Sequence, residues 1–182
     1  RYSLHPLSAR GSLTDPGGRF NVGDLDAARF PSFGALYLAQ DKDTVLQEAL
    51  AQAHRSAEGG LSAREMSLVA PQSETIVSVS GRLETICDLR SKDALQPFVD
   101  LVRDFKLSPR LREEAASLGL PVTLVSTTDA LVDTLLAPEW RRTSMQFDIP
   151  AASQLFGRIV LDAGIGGIVY PSKFTKKDCL AI

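Results

Sequence analysis

Four polar residues have types and settings that suit ligand binding or catalysis: Arg19, Tyr37, Glu48 and Ser172. Arg19 follows paired glycines, and its planar guanidinium has the geometry to bind a pyrophosphate through two hydrogen bonds. Tyr37 lies in a predicted strand, where its ring offers a flat face to an aromatic group and its hydroxyl can bind a polar one. Glu48 is the most interesting carboxylate because it lies on a predicted helix just after that strand, and Ser172 ends a later strand.

Each of these residues also has an ordinary structural interpretation. An arginine after paired glycines is commonly a surface charge, and a strand tyrosine is commonly part of the core. Glu48 on a helix face can be solvated or can contact Gln52 four residues later. Ser172 after Pro171 can simply form a turn. The residue types alone therefore leave both interpretations open.

Several other chemistries lack the residues they need. A triad of nucleophile and base requires a basic imidazole, and the chain has only two histidines, His5 and His54, neither of them in a suitable setting. No GxxxxGK[ST] loop and no GxGxxG after a strand is present. Cys87 and Cys179 lack the spacing of a zinc site or a disulfide framework, so we expect no metal and a reducing compartment.

Length and composition indicate one globular domain. The chain has 182 residues, of which 44% are hydrophobic and 23% charged, within the usual range for a folded domain. The net charge of −2 gives no basic surface for a nucleic acid backbone, so nucleic acid is not an expected partner. No apolar run is long enough to cross a bilayer, which predicts a cytoplasmic protein without membrane association.

Apolar patterning predicts short strands mixed irregularly with helices, and therefore an α+β fold. Residues 1–34 are rich in turn-forming residues and predict a loop. Residues 35–39 predict a strand, and Asp41 or Asp43 caps the helix that follows and ends at Gly59-Gly60. Further strands are expected over 66–69, 75–79, 122–125, 168–170 and 179–182, and further helices over 93–105, 109–118 and 151–163. We expect the strands at 66–69 and 75–79 to pair, and the helices over 93–105 and 109–118 to be peripheral.

The polar residues occur in a set of motifs that resembles the RES domain family, named after Arg, Glu and Ser. The matching strings are Gly17–Gly23, Ala35–Ala39, Leu46–Leu50, Gly167–Ser172 and Cys179–Ile182, with further landmarks at Cys87–Leu89, Trp140 and Gln154–Phe156. In this resemblance Arg19, Glu48 and Ser172 are the naming residues and Tyr37 is the motif tyrosine. The sequence departs from the family at Asp24–Phe33, which resembles an inserted loop, and at Phe20, where the family commonly has Trp.

The resemblance implies a single RES domain over 1–182, with a fold similar to ADP-ribosyltransferases and a cleft between short mixed sheets and flanking helices. It implies a toxin that degrades NAD+ at the nicotinamide–ribose bond, with water or phosphate as acceptor, and that is controlled by an Xre-family antitoxin. NAD+ would be the substrate, so no cofactor is implied, and homo-oligomerisation is left open. Transfer of ADP-ribose to a protein, or nucleotide binding without catalysis, are the alternatives.

The resemblance also assigns roles. Glu48 would stabilise the positive charge that develops on the ribose, and Arg19 would hold the diphosphate. Tyr37 would stack against nicotinamide or the ribose, and Ser172 would hydrogen-bond the carboxamide or ribose at the edge of the cleft. Arg1 is a candidate second phosphate ligand.

Overall fold

The fold is α+β, with helices around a small mixed sheet. It is seen in a computed structural model that describes residues 5–50, 76–103, 108–119 and 125–182. Within these residues the sheet has four strands: β1 (Tyr37–Ala39), β2 (Cys87–Asp88), β3 (Ile168–Pro171) and β4 (Asp178–Ala181). Their order across the sheet is β1-β4-β3-β2.

The β3–β4 hairpin forms the centre of the sheet. Its antiparallel register pairs Tyr170 with Cys179, and β1 pairs antiparallel with the other edge of β4 so that Ala39 also lies opposite Cys179. β2 runs parallel to β3 at the far edge. Since β1 leads into the helix that bears Glu48, the sheet brings that helix beside the loop of the C-terminal hairpin.

Six α-helices lie in the described part of the chain, preceded by a short 3-10 helix over Ala9–Leu13. The first follows β1 directly, and Asp41 begins it by accepting a hydrogen bond from the backbone N–H of Thr44 at 2.9 Å, which satisfies a free helix N–H group. The helices are α1 (Lys42–Leu50), α2 (Lys92–Arg103), α3 (Pro109–Ser117), α4 (Thr128–Leu135), α5 (Arg141–Phe147) and α6 (Ala152–Asp162).

The hydrophobic core lies between the sheet and helices α2, α4 and α6. Helix α2 packs against α4, and α4 packs against α6. Apolar residues three or four positions apart on each helix face inward, as an amphipathic helix requires. The buried helical residues of this core are Leu95, Val99, Leu131, Leu135, Phe156 and Val160, and the sheet adds Ile168, Tyr170, Cys179 and Ala181.

Most of the predicted elements are confirmed where the structure describes them. The strand over 35–39, the helices near 93–105, 109–118 and 151–163, and both C-terminal strands are present with shifts of a few residues at their ends. The end of the first helix near Gly59-Gly60 and the strand at 66–69 lie outside the described residues. No helix of the described part is long and apolar enough to span a membrane.

Two predictions are wrong, and a third lies almost entirely outside the described residues. Ile76–Val79 are exposed and form no strand, because β-branched residues favour a strand only where a neighbouring strand and a core accept them. Residues 122–124 are outside the described part, and Val125 is not in a strand. Helix α2 is not peripheral, since Leu95 and Val99 are buried.

Three elements were not predicted: β2, α4 and α5. Helix α4 carries a readable signal, because Thr127 accepts a hydrogen bond from Ala130 N–H at its start and Leu131 and Leu135 lie four residues apart. The two residues of β2 are too few to give a pattern.

Candidate active site

Three of the four predicted polar residues, Arg19, Tyr37 and Glu48, line a partly open cleft of about 220 Å³. The cleft lies where the loop before β1, helix α1 and the β3–β4 hairpin come together with the start of α5. Its walls are formed by Gly18, Arg19, Tyr37, Leu38, Ala39, Val45, Glu48, Ala49, Trp140, Arg141, Tyr170 and Cys179.

The loop that carries Arg19 is fixed by Gln154 of α6. The side chain of Gln154 is fully buried, and the two N–H groups of its Nε2 are shared among the carbonyl oxygens of Pro16, Gly18 and Asn21, at 2.7, 3.1 and 3.0 Å. These bonds satisfy backbone carbonyls that have no regular secondary structure to bond with. Gly157, one helical turn later, lies against the carbonyl of Phe20 so closely that a Cβ atom would overlap it. The loop is therefore seated on α6 as part of the core.

Asn21, which belongs to the same loop, also fixes its conformation and links it to Tyr37. The buried Asn21 donates through Nδ2 to the carbonyls of Ser12 and Phe33, at 2.7 and 3.0 Å. Its Oδ1 accepts from the Tyr37 hydroxyl at 2.9 Å, and that hydroxyl accepts the backbone N–H of Phe20 at 2.8 Å. Both hydrogen bonds of the Tyr37 hydroxyl are therefore made to the loop, while the residue lines the cleft. Burial raises the pKa of Tyr37, so the hydroxyl stays neutral.

Arg19 is anchored at the end of α4. Its Nη1 donates to the carbonyl oxygens of Leu135 and Ala137, each at 3.0 Å, where a helix terminus leaves carbonyls without helical partners. The guanidinium carbon lies 5.7 Å from the centre of the Trp140 ring. The hydrogen bonds of Arg19 within the described residues use Nη1 alone, so Nε and Nη2 remain for a ligand. Burial lowers the pKa of Arg19, and the nearby carboxylate of Glu48 opposes that shift.

Glu48 is held by Ser172. The Ser172 hydroxyl donates to Oε1 of Glu48 at 2.6 Å, a short charge-assisted bond that joins α1 to the hairpin. The Oγ atom of Ser172 also accepts the backbone N–H groups of Phe174 and Thr175, at 3.1 and 3.2 Å. Ser172 is 0% exposed and does not line the cleft, so it lies behind Glu48 and not at the cleft edge where the sequence interpretation placed it.

Two further contacts fasten the hairpin loop to the start of α1. The hydroxyls of Thr44 and Thr175 hydrogen-bond at 2.9 Å, and Lys177 Nζ forms a salt bridge with Asp41 at 2.5 Å. The first contact is buried at Thr44, whereas the second lies at the surface.

The structure adds cleft residues that sequence reasoning missed: Trp140, Arg141, Tyr170 and Cys179. Trp140 and Tyr170 were noticed only as parts of the family motifs. Tyr170 and Cys179 are cross-strand partners on one face of the hairpin, which a two-residue periodicity could have shown. Arg141 directly follows the single tryptophan of the chain, and this neighbouring pair was the only feature of the sequence that could have marked Arg141 as a site residue.

The cleft is positively charged, although the whole chain has a net charge of −2. Its ionised wall residues are two arginines, Arg19 and Arg141, and one carboxylate, Glu48. Burial and the charge of Glu48 raise the pKa of Cys179 to about 12, and burial raises the pKa of Tyr170, so both stay neutral. In the described part of the chain no group of three or more Asp, Glu, His or Cys residues could hold a metal ion.

Arg19, Tyr37 and Glu48 therefore meet at one cleft, and Ser172 is hydrogen-bonded to Glu48. Arg1 lies outside the described residues, so its role as a phosphate ligand stays a prediction.

The architecture and the cleft define a small α+β protein with an arginine- and carboxylate-lined site. The model of the RES domain family matches residues 1–182, the whole chain, and the chain belongs to that family. No curated protein and no solved structure matches it significantly.

Proposed function

We propose that this RES domain is an enzyme that cleaves the nicotinamide–ribose bond of NAD+. The observation that carries the proposal is the pairing of Glu48 with the buried Ser172 hydroxyl, at a cleft that also presents Arg19 and the ring of Tyr37. A RES domain that retains Arg19 and Glu48 at one cleft, with Ser172 hydrogen-bonded to Glu48, favours catalysis over simple nucleotide binding.

The chemistry explains why no histidine is needed. Nicotinamide leaves the ribose as a neutral molecule because it carries a positive charge while bound, so no acid has to protonate it. The transition state instead places positive charge on the ribose ring. A carboxylate aimed at that charge lowers the barrier only if it is already oriented. Glu48 has this orientation through the 2.6 Å bond from Ser172, which makes Ser172 a positioning residue in the proposal.

The size of the cleft indicates how a dinucleotide would bind. Its volume of about 220 Å³ is below the roughly 300–1,000 Å³ of typical small-molecule sites. Only one end of NAD+ would therefore enter, with nicotinamide and its ribose beside Tyr37 and Glu48. The free Nε and Nη2 groups of Arg19 would bind the diphosphate where the molecule leaves the cleft.

The remaining parts of the proposal follow from the family resemblance. The fold would be related to that of ADP-ribosyltransferases, and water or phosphate would accept the ADP-ribosyl group. The enzyme would act as a toxin in the cytoplasm, where free thiols such as those of Cys87 and Cys179 persist. An Xre-family antitoxin would block the cleft in the producing cell.

The test is NAD+ loss and nicotinamide release by the purified, antitoxin-free protein, in buffers with and without phosphate. Glu48→Gln keeps the size of the side chain and an oxygen for Ser172 but removes the charge. We expect the turnover number to fall by about 100-fold or more, as for other preorganised electrostatic groups. Asp43→Asn is the matched control, because Asp43 is an exposed carboxylate on the same helix, and its activity should stay within about 2-fold of wild type.

Dependence on phosphate would identify phosphorolysis, and its absence hydrolysis. A folded wild-type protein that releases no nicotinamide contradicts the proposal. Mass added to a protein in a lysate would then indicate ADP-ribose transfer, and nucleotide binding without turnover would indicate a binding module.

A further inference from the structure

Arg141 is a cleft residue whose side chain makes no hydrogen bond or salt bridge within the described part of the chain. It lines the cleft, and its Nε atom is buried without a hydrogen-bond partner among the described residues. A buried guanidinium N–H that is left unpaired costs free energy, because the group gives up its hydrogen bonds to water. Such a group is expected to bind something that the protein alone does not supply.

The surroundings of Arg141 favour an anion. Its guanidinium carbon lies 4.9 Å from the centre of the Trp140 ring, and Arg19 lies 5.7 Å from the same centre. The two positive charges repel each other and lower the pKa of Arg19, in addition to the larger effect of burial. No salt bridge within the described part of the chain joins either arginine to a carboxylate.

We propose that Arg141 and Arg19 together form a two-arginine phosphate subsite at the cleft, with Trp140 as the ring that both guanidinium groups contact. The inference rests on the proposed function for the identity of the ligand, a diphosphate-bearing nucleotide. Arg19 contributes Nε and Nη2, and Arg141 contributes its guanidinium group at the wall of the cleft. Phosphate oxygens accept several hydrogen bonds at once and carry the charge that two adjacent guanidinium groups need.

The same chemistry fits two sources of phosphate. One is the diphosphate of a dinucleotide, and the other is inorganic phosphate acting as the acceptor in phosphorolysis. Glu48 lies at the same cleft and repels anions, so the subsite should prefer the source that is tethered to a nucleoside. We therefore expect ADP to bind more tightly than inorganic phosphate.

The experiment measures binding of ADP, AMP, adenosine and inorganic phosphate by calorimetry, without turnover. Arg141→Gln should weaken ADP binding about 10-fold or more, since loss of a hydrogen bond to a charged group has that effect, and leave adenosine binding within about 2-fold. Arg141→Lys keeps the charge without the planar fork and should show an intermediate loss. Arg142→Gln is the matched control, because Arg142 is the exposed neighbour on the same helix, and it should bind ADP like wild type.

The inference is overturned if Arg141→Gln binds ADP as Arg142→Gln does, if ADP and adenosine weaken equally, or if the wild type binds neither ADP nor phosphate. Should Arg141→Gln fail to fold, the same comparison is made with Arg141→Lys. NAD+ cleavage with ADP affinity independent of Arg141 would contradict this inference and leave the proposed function standing. ADP binding that depends on Arg141, in a protein that does not cleave NAD+, would support this inference and contradict the proposed function.

Discussion

Arg19 and Glu48 line the same cleft, but the protein holds them in different ways. The loop of Arg19 is seated on α6 by the buried side chains of Gln154 and Asn21, and Arg19 itself bonds the end of α4. Glu48 depends on a single side-chain bond from Ser172, at a hairpin loop whose salt bridge between Lys177 and Asp41 is at the surface.

The difference shows that the two walls of the cleft relate to the core differently. The arginine wall, which is the loop Gly17–Gly23 with Arg19, is part of the core. The carboxylate wall, which is Glu48 and the loop of the β3–β4 hairpin, is joined to the core by fewer contacts. Changes that disturb the arginine wall should mainly reduce stability, because they leave buried backbone carbonyls unpaired. Changes in the carboxylate wall should mainly reduce catalysis, because they free Glu48 without opening the core. The following variants separate the two walls.

Gln154→Met should have the largest effect on stability. Methionine has a similar length but cannot donate to the carbonyls of Pro16, Gly18 and Asn21 or accept from Ala151 N–H. We expect a loss of about 3 kcal/mol in the free energy of unfolding, measured by urea denaturation. Gln146→Met, at an exposed position, is the control and should change it by less than about 0.5 kcal/mol. A loss below about 1 kcal/mol for Gln154→Met would show that the arginine wall does not depend on this side chain.

Ser172→Ala should affect catalysis more than stability. Its loss frees Glu48 and two backbone N–H groups, so we expect a turnover number about 10-fold lower with KM nearly unchanged. The control is Thr175→Val, which removes the bond between the same loop and Thr44 but leaves Ser172 in place. Equal losses of turnover in the two variants would mean that Ser172 acts by holding the loop and not by orienting Glu48.

Asp41→Asn should have the smallest effect. The hydrogen bond from Lys177 holds the pKa of Asp41 at about 2, below its usual value near 3.8. A lowered pKa in the folded state stabilises the protein above about pH 4, and this contribution is lost as the pH falls through about 2. Because the pair is exposed and asparagine also caps helices, we expect the melting temperature at pH 7 to fall by no more than about 2 °C.

The difference between the wild type and Asp41→Asn should shrink in melting curves recorded from pH 5 down to pH 2.5, and also at high salt, which screens exposed charges. A fall of more than about 5 °C at pH 7 would show that the salt bridge between Asp41 and Lys177 stabilises the protein more than is usual for an exposed ion pair.

The sequence predicted much of the frame of the cleft. The short apolar runs at 168–170 and 179–182 and the polar loop between them predicted the two C-terminal strands, and the helical stripe after Asp41 predicted α1. Local periodicity reports which side of an element is buried, and these elements have clear patterns. The same reasoning failed at Ile76–Val79, because β-branched residues alone do not supply a neighbouring strand.

The motifs determined which residues to examine, namely Arg19, Tyr37, Glu48 and Ser172, and the family to which they belong. Only the tertiary structure decided what each contacts. Ser172 meets Glu48 across 124 positions of sequence, and Arg19 bonds a carbonyl 116 positions away. The place of Arg141 in the cleft likewise depends on how helices and sheet pack together. Local sequence governs local backbone conformation, whereas contacts of this kind arise only when separate elements bury their apolar faces against one another.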